Sequence, residues 1–230
     1  MRRRDFITIV GGATAWPLVA RAQQGERMRR IGVLLLVSQG DPEFQRRVAV
    51  LRQSLRDLGW TERNTAFEHR FADGKLDRLP VLAAELVEAK VDVIVTQGTD
   101  STEVARKATS TIAIVMASIG DAVGTGVVSS LARPGGNVTG LTLVATEQST
   151  KRLELIKEIS PGISRLAVLW NGSNASHRLQ LKEMETATPV LGLALQSIPV
   201  QDAGELDGGF QAAVQSGAQA VVVKRTWSML

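Results

Sequence analysis

The segment from Gly98 to Thr102 has the residue types that can bind an anion. Gly98 lets a ligand approach the backbone closely, and Thr99, Ser101 and Thr102 place hydroxyl groups beside the free N–H groups of a predicted helix start. A carboxylate is the anion that such a site would take. The residue types leave one alternative open, which is that Thr99 or Ser101 only caps the helix.

Polar side chains also follow three other predicted strands. Ser38 and Gln39 come after the first strand, Asp121 comes after the fourth, and Asn171 and Asn174 come after a strand in the second half. Ligands of parallel sheets bind beyond the carboxyl ends of the strands, so these are candidate ligand-binding residues. The Asp121 carboxylate suits a ligand ammonium group, and the two amides suit an amino or amide group. Turn formation and helix capping are the competing roles.

No cofactor, metal ion or catalytic residue is predicted. The chain has no cysteine, and its histidines, His69 and His177, are too far apart in sequence to indicate a metal site. Gly124-Thr125-Gly126 lacks the third glycine of a dinucleotide-binding loop and does not follow the first strand. The sequence Gly-x-Ser-x-Gly, which carries the nucleophile of α/β hydrolases, does not occur. The pattern therefore favours a binding protein that is not an enzyme.

Residues 1–22 have the pattern of an export signal. Arg2, Arg3 and Arg4 precede a short apolar run, and Ala20-Arg21-Ala22 has the small-x-small pattern of a cleavage site. The paired arginines resemble a twin-arginine signal, and a general secretory signal is the alternative. Cleavage is expected near Ala22. Because no cysteine is present to carry a lipid, we expect a periplasmic protein without a membrane anchor.

The basic charge of the chain is concentrated in that leader. The sequence has 27 Lys+Arg against 23 Asp+Glu and a net charge of +4. Residues 1–22 contain four arginines and one aspartate, which account for three of these four charges. What remains is nearly neutral, so no nucleic-acid partner is predicted.

The rest of the sequence alternates β-branched runs with amphipathic helical patterns, which is typical of parallel sheets flanked by helices. A first series of about five strand–helix units ends near residue 145. A second series opens with a predicted helix at 147–159 and contains fewer strands. We therefore expect two α/β lobes, residues 23–145 and residues 146–230. A helix is also predicted from Gly124 to Leu131.

Two adjoining motifs carry a family resemblance. The first is Ile119-Gly120-Asp121-Ala122-Val123-Gly124-Thr125-Gly126, and the second is Leu131-Ala132-Arg133-Pro134-Gly135-Gly136-Asn137-Val138-Thr139-Gly140. With these motifs the chain resembles the ABC-transporter substrate-binding proteins of the tryptophan/tyrosine-binding type. Ala122 stands where the family usually has proline. Residues 225–230 do not resemble the family's continuation, which extends further, so a C-terminally truncated second lobe is expected.

The resemblance implies a type I periplasmic-binding fold, in which two doubly wound parallel-sheet lobes hold a ligand between them. It also implies the periplasmic solute-binding component of an ABC importer. Such a component captures a small ligand, for instance an amino acid, and presents it to an ABC permease and its ATPase subunit. Two other classes stay open: a secreted α/β hydrolase-like enzyme and a sensory ligand-binding domain.

Overall fold

The computed structural model describes residues 27–224 of the 230-residue chain. The export signal predicted in residues 1–22 and the departure from the family pattern at residues 225–230 lie outside the described residues. In residues 27–224, eight β-strands and six α-helices alternate along the chain. All of the strand pairs are parallel, as the sequence pattern predicts.

The first lobe is built on a five-stranded sheet. Its strands are β1 (Arg29–Leu35), β2 (Thr65–Phe71), β3 (Val93–Thr96), β4 (Ala113–Ile119) and β5 (Val138–Thr142), and its α-helices are α1 (Pro42–Asp57), α2 (Leu79–Glu88) and α3 (Thr99–Ala108). The strand order is β2-β1-β3-β4-β5. The chain therefore winds in opposite directions on the two sides of β1 and β3, and this is the point where a doubly wound sheet opens a crevice for a ligand.

Strand β1 is buried on both faces because helices cover both sides of this sheet. Leu34 packs with Ile94 and Ile114 against α2 and α3, and all three side chains are fully buried. Val33 belongs to a second cluster, on the opposite face, in which Phe44 of α1 is buried. A nearly continuous apolar run is the expected sequence of such a strand.

The second lobe is built on a three-stranded sheet. It contains α4 (Glu147–Ile159), β6 (Arg165–Trp170), α5 (Ala175–Ala187), β7 (Ala194–Pro199), α6 (Leu206–Gln215) and β8 (Ala220–Val223), with the strand order β7-β6-β8. Leu166 of β6 packs with Leu153 of α4 and Met184 of α5. Leu169 faces the other side, in a cluster with Ala213 of α6. The central strand is thus buried by helices on both faces.

The helix predicted from Gly124 to Leu131 is wrong, since this segment consists of turns and bends. Its serine hydroxyls bond to the backbone, with Ser129 Oγ donating to the carbonyl oxygens of Arg133 at 2.9 Å and Pro134 at 3.1 Å. Asp121 Oδ1 accepts a hydrogen bond from the Gly124 N–H at 2.8 Å. Local side-chain bonds of this kind satisfy backbone groups that a helix would otherwise pair.

Within residues 27–224, none of the helices has the length and apolar character needed to span a membrane.

Candidate functional site

A cavity of about 480 Å³ lies between the two lobes, at the carboxyl ends of their strands. Its size falls within the range of about 300–1,000 Å³ that is usual for small-molecule sites. Both lobes contribute to its walls, which are formed by Leu36, Gln97, Gly98, Thr99, Asp100, Ser101, Ser118, Ile119, Gly120, Leu143, Ala145, Arg152, Asn174, Ser176, His177, Gln180, Val222, Val223 and Lys224.

The N-terminus of α3 forms the first-lobe side of the cavity. Gly98 precedes this helix, and its N–H donates to the Ser118 carbonyl oxygen at 2.8 Å, which ties the helix start to β4. Thr99 and Ser101 are buried in the first turn. The Ser101 hydroxyl has no hydrogen-bond partner among residues 27–224. Since the first N–H groups of a helix also lack partners within the helix, this end is suited to bind an anion.

The N-terminus of α5 forms the opposing side. Asn174 caps this helix, because its Oδ1 accepts a hydrogen bond from the His177 N–H at 3.1 Å. Its Nδ2 donates to Asp100 Oδ2 of the first lobe at 3.0 Å. One asparagine side chain therefore caps a helix and joins the two lobes at the cavity.

Asp100 is the only carboxylate among the residues that line the cavity. Burial raises its pKa, and Glu103 on the same helix acts in the same direction, whereas the Asn174 hydrogen bond and Arg178 of α5 act to lower it. The described residues thus compensate the charged form of Asp100 only in part. A cation, such as a ligand ammonium group, would stabilise it.

We expect Asp100→Asn to raise the free energy of unfolding, measured without added ligand, by about 1 kcal/mol at pH 7. The amide carries no charge to bury, and its oxygen still accepts the Asn174 hydrogen bond. Because the folded-state pKa lies above the ordinary value of 3.8, the wild-type chain gains stability as the pH falls through the folded-state pKa, and the advantage of the variant shrinks. Urea unfolding at pH 7 and pH 4 measures both effects.

The exposed substitution Glu183→Gln on α5 serves as the control for Asp100→Asn. Two results would show that the Asp100 charge is well compensated. One is a difference in the free energy of unfolding between Asp100→Asn and wild type that is the same at pH 7 and pH 4. The other is an Asp100→Asn chain that is less stable than wild type at pH 7.

Lys224 directly follows β8 and brings a buried cation to the second-lobe side. Its Nζ donates to Gln180 Oε1 at 3.0 Å and to Ser149 Oγ at 3.4 Å. Burial, together with the nearby positive charge of Arg152, lowers the pKa of Lys224 to about 8. The sequence reasoning missed Lys224 and Arg152. Lys224 could have been found from its position, because it directly follows the apolar run of β8, just as Asn171 directly follows β6.

The residues predicted from the sequence fall into two groups. Gly98, Thr99, Ser101 and Asn174 lie in the cavity wall. The other five predicted residues do not line the cavity. Two of these five, Ser38 and Gln39, are exposed. The remaining members of that group, Thr102, Asp121 and Asn171, make local hydrogen bonds outside the wall.

Those local bonds give the last three residues roles in shaping the loops around the cavity. Thr102 Oγ1 bonds to Thr96 Oγ1 and to the Gly98 carbonyl oxygen, both at 2.8 Å. Asn171 Oδ1 accepts from the Ser173 N–H at 2.9 Å, and its Nδ2 donates to the Gln201 carbonyl oxygen at 3.2 Å. These bonds fix the strand ends from which α3 and α5 begin.

Two parallel α/β lobes with a cavity between their strand ends define the class of type I periplasmic-binding folds. Residues 30–227 match the sequence model of the family described as "ABC transporter substrate binding protein", and the chain belongs to this family. A tyrosine-binding protein of Clostridioides difficile is 28% identical over 160 residues, which are 69% of this chain and 45% of that protein.

Solved structures share the fold. A conserved domain protein from Vibrio cholerae superposes with a TM-score of 0.76 at 25% identity, covering 85% of this chain and 64% of that one. An ABC domain in complex with L-Trp from Streptococcus pneumonia also gives a TM-score of 0.76, at 23% identity, covering 88% of this chain and 67% of that one. The chain spans less than half of the C. difficile relative and about two thirds of these structures.

Proposed function

We propose that the chain is the solute-binding component of an ABC importer and that it captures a small ligand, an amino acid, in the cavity between its lobes. The observation that carries this proposal is the buried Ser101 hydroxyl, which has no hydrogen-bond partner in the described part of the chain, at a helix N-terminus that faces a cavity of about 480 Å³. A buried polar group without a partner is costly, and a ligand atom would satisfy it. The family and the names of the tyrosine-binding and L-Trp-bound relatives support the same ligand class.

Each end of an amino acid has a complementary group in the cavity. The α-carboxylate binds at the N-terminus of α3, beside Gly98, Thr99 and the buried Ser101 hydroxyl. The ammonium group binds Asp100, whose raised pKa reports a carboxylate without sufficient compensation. Asn174 connects this site to the second lobe through its bond to Asp100. These residues bind and orient the ligand, and the chain carries out no catalysis.

The division into lobes gives the motion that such a protein needs. The described parts of the two lobes, residues 27–145 and 146–224, move as two bodies about the connection that precedes α4, and ligand binding closes them by a hinge motion. Ser38, Gln39, Thr102, Asp121 and Asn171 stay predicted members of the extended site. Residues 1–22 direct export, and the protein acts in the periplasm. There it presents its ligand to an ABC permease and the permease's ATPase subunit.

Thermal unfolding and isothermal titration with the twenty amino acids test this function. A ligand present at 100 times its Kd is expected to stabilise the chain by about 2.7 kcal/mol, because it binds only the folded state. Ser101→Ala is expected to weaken binding by about 10-fold, since a hydrogen bond to a charged group is lost. Its matched control is Ser110→Ala, an exposed serine beyond the end of α3.

The proposed function fails if no amino acid stabilises the chain and none gives heat of binding. The carboxylate position fails separately if Ser101→Ala and Ser110→Ala bind the same ligand equally well.

A further inference from the structure

Lys224 is a buried ammonium group without an anionic partner. Only 3% of the surface of Lys224 is exposed. Its Nζ donates to Gln180 Oε1 and Ser149 Oγ, and both acceptors are neutral. Within residues 27–224, no carboxylate oxygen lies within 4 Å of its Nζ. Buried charges in folded proteins are ordinarily paired, so this arrangement requires an explanation.

The surroundings of Lys224 increase the positive potential in the cavity. Arg152 of α4 lines the same cavity and has no ion pair with any described residue. The N-termini of α3 and α5 both face the cavity, and each carries a partial positive charge. Against these groups stands one carboxylate, Asp100, which is already bonded to Asn174.

A purely structural role does not account for a lysine at this position. Gln180 Oε1 and Ser149 Oγ could be satisfied by a neutral donor, which would avoid burying a charge. Burial lowers the pKa of Lys224 only to about 8, so the group is still mostly charged at neutral pH. An anion at this position would pair the buried charge, which the two neutral acceptors do not do.

We infer that the ligand carries a second acidic group, which binds to Lys224 at the second-lobe side of the cavity while Arg152 adds positive potential at the rim. This inference rests on the proposed function, in which α3 holds the α-carboxylate and Asp100 holds the ammonium group. Together the three sites describe an acidic amino acid. The side chains of tyrosine and tryptophan, which the names of the relatives mention, are neutral at pH 7 and would leave the Lys224 charge unpaired.

Isothermal titration with two acid–amide pairs tests the inference: L-glutamate with L-glutamine, and L-aspartate with L-asparagine. The members of each pair differ in one acidic group and have nearly the same shape. The purified chain is expected to bind one acid at least about 10-fold more tightly than its amide, the effect of one charged hydrogen bond. Lys224→Met is expected to remove this preference by weakening binding of the acid about 30-fold, with less than a 3-fold change for the amide.

The unliganded Lys224→Met chain provides a second readout that a structural lysine would not give. Its Tm is expected to stay within about 2 °C of wild type, because removal of the buried charge offsets the loss of the hydrogen bonds to Gln180 Oε1 and Ser149 Oγ, whereas the loss of a structural lysine would lower it. Lys182→Met is the matched control, since Lys182 is exposed on α5 and lies outside the cavity wall. It is expected to keep both the wild-type preference and the wild-type Tm.

Three results would overturn the inference while leaving the proposed function intact. They are equal or tighter binding of the amides, tighter binding of L-tryptophan or L-tyrosine than of either acid, and an acid preference that Lys224→Met does not change. Absence of binding to every amino acid is a different result, because it removes the proposed function itself.

Discussion

Replacing Gly120 by alanine is expected to weaken ligand binding by about 100-fold and to leave the fold of each lobe intact. A Cβ at Gly120 would lie 2.8 Å from Ser176 Cβ and still closer to Ser176 Oγ. Gly120 directly follows β4 of the first lobe, and Ser176 lies in the first turn of α5 of the second. The clash is therefore between residues of the two lobes in the cavity wall, and the lobes relieve it by moving apart.

The Gly120→Ala effect is measured by isothermal titration with the tightest-binding amino acid. The double variant Gly120→Ala/Ser176→Gly removes the obstructing side chain and is expected to recover most of the affinity. Thermal unfolding of the unliganded single variant should stay close to wild type, because opening the cleft relieves the contact. Wild-type affinity in Gly120→Ala would show that ligand binding does not need the approach of these two segments.

Replacing Gly140 by alanine is expected to lower the free energy of unfolding by about 3 kcal/mol or more. Gly140 lies in β5 opposite Met116 of β4, with a φ of +134°, a conformation that L side chains rarely adopt. A Cβ there would lie 2.9 Å from the Met116 carbonyl carbon and closer still to its oxygen. Because both residues belong to one hydrogen-bonded ladder, no hinge motion can relieve this contact.

Urea unfolding of Gly140→Ala compared with Gly136→Ala measures the effect. Gly136 lies in the loop before β5, and a Cβ there would have no heavy atom within 4 Å. We expect Gly136→Ala to change the free energy of unfolding by less than about 1 kcal/mol. Similar stabilities for the two variants would mean that β5 does not pair with β4 in this register.

Elements with strong local signals could be predicted from the sequence. The helix predicted at 147–159 matches α4 (Glu147–Ile159), since its apolar periodicity is clear and Pro161-Gly162 follows it. Helix α5 ends at Ala187, two residues before Pro189, because a proline cannot continue a helix. The segment from Gly124 to Leu131 was mispredicted because apolar spacing alone does not reveal the bonds of Ser129 to the backbone.

Site residues with a local sequence signal could likewise be predicted, and those that depend on packing between the lobes could not. Gly98, Thr99 and Ser101 could be placed at the cavity because a strand end followed by a helix start is a local pattern, and such ends converge in parallel sheets. The role of Gly120 depends on how the second lobe packs against the first, and no local pattern encodes that packing. Asp121 and Asn171 had turn formation as their competing role, and both make the corresponding hydrogen bonds.

A crystal structure of the chain with its tightest-binding amino acid tests most directly whether the ligand binds between the lobes. We expect the ligand in the cavity, with its α-carboxylate within hydrogen-bond distance of Ser101 Oγ, its ammonium group at Asp100 and a side-chain acid at Lys224 Nζ. A ligand bound elsewhere on the chain, with the cavity between the lobes still empty, would contradict the proposed function.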